Sequence, residues 1–172
     1  MGASPAQLDE LCAKTGCTPA NINSAAQVVL SGDKAQIAAA AATAKELGIK
    51  RAIPLATAGA FHSKFMQPAR AKLAPVLDGI TFHAPKIPVI SNVTGRVHSS
   101  DPAEIKDVML RQVTETTRWA DDIAAAKALG CTRFIEFGPG KVLSGLIKKI
   151  DAALTTLNVS DLATLDATVS AL

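Results

Sequence analysis

The 172-residue chain has no tyrosine, one tryptophan and five phenylalanines. Proteins that bind single-stranded nucleic acid stack bases on aromatics beside a basic stripe. Neither is present, because 18 Lys and Arg stand against 15 Asp and Glu for a formal charge of +3. Nucleic acid is not an expected partner. Cysteine is scarce and odd in number, and Cys12, Cys17 and Cys131 have no companion Cys or His at metal-ligand spacing. No metal is expected. The longest apolar run, Ile37 to Ala44, is interrupted at Thr43 and falls well short of the ~20 residues that cross a bilayer. Met1-Gly2-Ala3-Ser4-Pro5 shows neither the basic nor the apolar segment of a secretion signal. A reduced, cytoplasmic protein without membrane contact is the expectation. The chain also lacks G-x-S-x-G, the turn that presents a hydrolase serine. Ser63 has no strained glycine turn around it, and no cysteine has a neighbour that would lower its pKa.

What is present reads as a folded α/β protein. Hydrophobic residues make up 48% and charged ones 19%, which argues against disorder, and 32 alanines favour helices. Ser4-Pro5-Ala6-Gln7 is a helix start with Pro at the first position, and Gly16 is its stop. Gln27–Leu30 predicts a strand, Asp33 caps a helix to about Leu47, and Arg51–Ala56 predicts a second strand. Helices follow at Ser63–Leu77, with Phe65, Met66, Ala69, Leu73 and Val76 near one face, and at 101–112, 120–129 and 142–150. Strands are predicted at Pro88–Val93, Arg133–Phe137 and Thr156–Val159, with a terminal helix after the last. This alternation implies a largely parallel sheet. The best internal boundary is the composition shift at Thr57-Ala58-Gly59, giving regions 1–57 and 58–172.

Three places invite chemistry. His62, in Gly59-Ala60-Phe61-His62-Ser63, sits between a strand end and a helix start, where α/β folds gather functional groups. A histidine there serves as a general base or, equally on spacing alone, as a cap or surface residue. His83 and His98 read as solvated loop residues. Gly138-Pro139-Gly140-Lys141 follows a strand but lacks the spacing of a nucleotide-binding loop, so it reads as a tight turn, with a nucleotide-binding domain as the weaker alternative. Asn21-Ile22-Asn23-Ser24 with Gln27 is a polar cluster that suits an Asx-type turn at least as well as a ligand site.

Five segments in order resemble one family, the malonyl-CoA:acyl carrier protein transacylases. Asn21 to Gly32 looks like their N-x-N-S-x-x-Q-x-V-x-S-G stretch, and Gly59 to Met66 like their G-A-F-H-S-x-x-M histidine motif. Pro88 to Gly95 is similar to P-V-x-S-N-V-T-G, and Phe134 to Leu146 to the family's late signature strand and turn. Gln112 to Trp119 resembles Q-x-x-x-x-V-R-W, except that Thr117 stands where Val is usual. The family's opening G-Q-G-S/A-Q loop, its G-H-S-x-G nucleophile and its malonyl-binding Arg have no counterpart here.

The resemblance implies the C-terminal part of an α/β-hydrolase-like acyltransferase core (58–172) behind a ferredoxin-like small subdomain (1–57) lacking its first strand. It implies transfer of malonyl from malonyl-CoA to acyl carrier protein through an acyl-serine, without a cofactor. His62 would be the base and the backbone carbonyl of Gln112 would orient it. Asn23, Gln27 and, more weakly, Asn92 would face substrate, and Phe61 beside the base goes with malonyl over methylmalonyl. The other reading is a non-catalytic fragment, or a split-enzyme subunit that binds acyl carrier protein or a separate nucleophile-bearing N-terminal half. An α/β core cut in this way is expected to self-associate through exposed apolar surface.

Overall fold

Ser4 starts the first helix by reciprocal capping. Its hydroxyl accepts from the Gln7 N–H at 3.2 Å, while the Gln7 side chain accepts from the Ser4 N–H at 2.9 Å. A computed structural model describes residues 1–172, which divide into two units, Met1–Asp122 and Ile123–Leu172.

In the first unit, helix α1 (Pro5–Thr15) ends at left-handed Gly16 and is followed by strands β1 (Thr18–Ser24) and β2 (Gln27–Ser31) and helix α2 (Lys34–Glu46). Asp33 caps α2 with a second capping box. Leu11, Cys17, Ala40, Ala44 and Ile49 form the buried cluster of this block. A single 3₁₀ turn at Lys64–Met66 leads into α3 (Gln67–Asp78). A hairpin of β3 (Ile90–Ser91) and β4 (Arg96–Val97) precedes α4 (Pro102–Arg111), and the division between the units falls within α5 (Trp119–Ala128). In the second unit β5 (Arg133–Phe137), α6 (Val142–Ile150), β6 (Thr155–Val159) and α7 (Leu162–Ser170) make a β–α–β crossover and a closing helix.

The α/β class stands, but the sheet is not largely parallel. The three ladders are two-stranded, and only β5–β6 is parallel. Residues 25–26 and 92–95 are too short to reverse into anything but antiparallel hairpins, whereas α6 provides the long connection a parallel pair needs. Asn21–Ser24 is strand rather than turn, because its backbone pairs with β2 and with Thr117 despite the poor strand propensity of Asn. Conversely, Arg51–Ala56 is exposed coil. Pro54 withholds a donor, and the backbone turns on itself where Thr57 N–H meets the Leu55 carbonyl at 3.0 Å. The Pro88–Val93 strand shrinks to two residues. On α3 the buried residue is Leu77, while Val76 points outward at 59% exposure. No helix is long and apolar enough to cross a membrane.

Candidate active site

Gln112 follows the last residue of α4, where helix carbonyls have no partner within the helix. Its carbonyl oxygen lies 2.9 Å from Nδ1 of His62. A carbonyl only accepts, so the contact places a proton on Nδ1, and in the neutral imidazole it is then Nε2 that keeps its lone pair. The neutral ring is thus oriented to accept a proton at Nε2.

The loop is built to hold this ring. Ser31, the last residue of β2, donates its hydroxyl to the Phe61 carbonyl, tying the loop to the first hairpin. His62 itself has φ +55°, a left-handed conformation that costs a non-glycine residue on the order of 1 kcal/mol. Ser63 locks the next step. Only 3% exposed, its hydroxyl donates to the Ala60 carbonyl and accepts from the Phe65 N–H, capping the 3₁₀ turn. Ser63 is therefore a cap with its hydroxyl committed.

Thr117 completes the surroundings. Its backbone N–H reaches the Ala20 carbonyl and its own carbonyl takes the Ile22 N–H, both at 2.8 Å, so it lies alongside β1. Its hydroxyl oxygen sits 3.5 Å from His62 Nε2 and 3.3 Å from the Gln112 side-chain nitrogen. A cavity of about 370 Å³ opens beside His62, lined by Ser63, Val93, Arg111, Glu115 and Arg118 among others. Arg111 grips Glu115 with two bonds of 2.8 and 2.9 Å, which holds the Glu115 carboxyl below its usual range.

The other residues singled out in the sequence are spread more widely. Phe61 and Gln27 line a second, mostly apolar cavity of about 390 Å³. Half-buried Asn23 and Asn92 line neither cavity, although the Asn92 carbonyl accepts the Arg118 N–H at 2.7 Å, next to Thr117. His83 is exposed and His98 half-buried. The cysteines are free thiols, and burial together with Cys17 and Asp9 pushes the Cys12 thiol up, away from a reactive thiolate.

In the Gly138-Pro139-Gly140 turn the Gly138 N–H goes to the Val159 carbonyl and Pro139 has no N–H, while the first amides of α6 are met from within the chain. Glu136 accepts from the Leu143 and Ser144 N–H groups at 3.0 and 2.8 Å and from the Ser144 hydroxyl at 2.7 Å. A carboxylate of the chain itself fills the start of α6, which leaves the nucleotide-binding alternative without a site.

Comparison with known proteins agrees with this architecture. No protein-family model matches the chain. The mixed helix and strand architecture matches a part of the acyltransferase fold. The crystal structure of MCAT from Streptococcus pneumoniae covers 100% of this chain and 57% of its own, with a TM-score of 0.94 at 35% identity. A structure of a type II PKS acyl-carrier protein in complex with its malonyl-transacylase matches over the same shares, with a TM-score of 0.92 at 34% identity. Among curated proteins, the malonyl CoA-acyl carrier protein transacylase of Bacillus subtilis is 44% identical over 153 residues, 89% of this chain and 48% of the relative. The chain is a homologue of the malonyl CoA-acyl carrier protein transacylases, and it spans about half the length of the curated relatives it matches.

Proposed function

We propose that the chain supplies the base-bearing, C-terminal part of a malonyl-CoA:acyl carrier protein transacylase of fatty acid biosynthesis, acting in the cytoplasm. The observation that carries this reading is the 2.9 Å approach of His62 Nδ1 to the Gln112 carbonyl, which leaves Nε2 as the basic atom. In the reaction, a serine hydroxyl outside these 172 residues attacks the malonyl thioester, and His62 Nε2 takes its proton. The same proton leaves with the departing CoA thiol. The phosphopantetheine thiol of acyl carrier protein then gives its proton to Nε2 and attacks the malonyl-serine, and the departing serine oxygen takes that proton from Nε2. Every step is acyl or proton transfer, so no cofactor is needed.

In this reading residues 1–57 are the ferredoxin-like subdomain and 58–172 belong to the acyltransferase core. Phe61 shapes the acyl site, Asn23 and Gln27 line the pantetheine entrance, and Asn92 supports the neighbouring strand. On its own the chain is a docking partner for its nucleophile-bearing half. Supporting this, Ser63 is committed as a cap and the Cys12 thiol is held in its protonated form.

Intact-mass measurement after incubation with malonyl-CoA tests the reading. Mixed with a serine-bearing first-half polypeptide of a relative, the chain is expected to produce one malonyl adduct on that polypeptide. His62→Ala should lower its formation at least 10³-fold. No adduct in the mixture overturns the reading. An adduct on this chain alone, lost in His62→Ala, gives it a nucleophile of its own and overturns the division of labour.

A further inference from the structure

His62, Gln112 and Thr117 close a ring of hydrogen-bonding groups in which each proton has one consistent place. The Gln112 carbonyl can only accept, so the His62 Nδ1–H points to it across 2.9 Å. The Gln112 side-chain nitrogen can only donate, so the Thr117 oxygen accepts across 3.3 Å. That leaves the Thr117 O–H free to turn toward His62 Nε2, 3.5 Å away. Thr117 is 9% exposed and its backbone is fixed on both sides by β1, so its hydroxyl is confined to this neighbourhood.

We infer that Thr117, ordered by the Gln112 side chain, is a positioning residue that clamps the second nitrogen of His62 and covers its lone pair in the resting state. At 3.5 Å the contact is at the long limit of a hydrogen bond, so an incoming hydroxyl displaces it at little cost. Gln112 then acts twice, through its backbone on Nδ1 and through its side chain on the group facing Nε2. The clamp's functional meaning rests on His62 being the base, but its geometry does not.

The test uses the 172-residue chain and needs no turnover. Diethyl pyrocarbonate ethoxycarbonylates a neutral imidazole at its bare nitrogen, releasing ethanol and carbon dioxide, and peptide mapping follows His62 alone. Thr117→Val is isosteric, so access to the ring is unchanged. Removing so long a hydrogen bond from Nε2 should speed labelling about twofold, with Thr117→Ser returning to the wild-type rate. The ¹⁵N resonance of His62 Nε2 should move downfield in Thr117→Val and return in Thr117→Ser. If Thr117→Val fails to fold, Gln112→Met keeps the backbone carbonyl and should change both readouts in the same direction. Wild-type labelling and an unmoved resonance in the folded variants overturn the clamp. Failure of the malonyl-transfer reading shows separately, as an absent adduct beside an intact clamp.

Discussion

Two regions of the first unit handle their side chains in opposite ways. Residues 1–49 share one apolar cluster: α1 packs on α2, both helices carry capping boxes, and Leu11, Cys17, Ala40, Ala44 and Ile49 are buried together with Leu30 of β2 against them. The stretches around 53–61 and 80–89 leave Ile53, Leu55, Phe61, Ile80, Ile87 and Val89 between 44% and 73% exposed. Farther along, the imbalance changes sign. Asp122 is 5% exposed with neither carboxylate oxygen bonded, and the Trp119 indole N–H is buried without a partner. The first region buries its own apolar cluster and borrows backbone partners for β1 from Thr117. The second carries apolar groups in water, and α5 beyond it holds polar groups out of water.

The comparison breaks most readily at Leu11. Leu11→Ala should cost roughly 3–5 kcal/mol in urea unfolding, because the small block has few residues to collapse into the cavity. A loss below about 1 kcal/mol would show that the block is not closed in solution.

Asp122 sharpens the contrast through pH. Burial, with Asp121 nearby, raises its pKa from the ordinary 3.8 to about 6. Between those values the folded chain binds more protons than the unfolded one, so stability falls as pH rises. The loss approaches about 3 kcal/mol and is complete above pH 6. Asp122→Asn should flatten this dependence, melting at nearly one temperature at pH 4.5 and 7.5 while the wild type drops. An equal drop in both proteins assigns the effect to other groups.

The smallest effect on stability comes from the exposed stretch. Ile53→Ser, Leu55→Ser and Ile87→Ser should each change unfolding free energy by under about 0.5 kcal/mol. Together they should shift the chain from an associated to a monomeric elution volume at micromolar concentration. A wild type that is already monomeric removes the idea of a missing complement.

How much of this the sequence disclosed follows the range of the interactions. Ser4, Asp33 and Asp101 were legible as helix starts because their partners lie two or three residues away. β1 was hidden, since its asparagines are poor strand formers and its pairing with Thr117 spans most of the unit. Arg51–Ala56 misled for the converse reason, having a strand-like apolar pattern and no ladder to join. At the site, His62 stood out by its motif and Gln112 by resemblance. Thr117 was visible only as a departure from valine, because nothing local reveals that its hydroxyl faces a ring 55 residues earlier in the chain.

The left-handed backbone at His62 has a consequence for engineering. Glycine adopts that conformation without strain, so a library ranked by melting temperature alone would favour glycine there and enrich folded proteins stripped of the imidazole. Thermostabilising this scaffold therefore calls for a selection that scores the histidine as well as the fold, with position 62 left out of the randomised set.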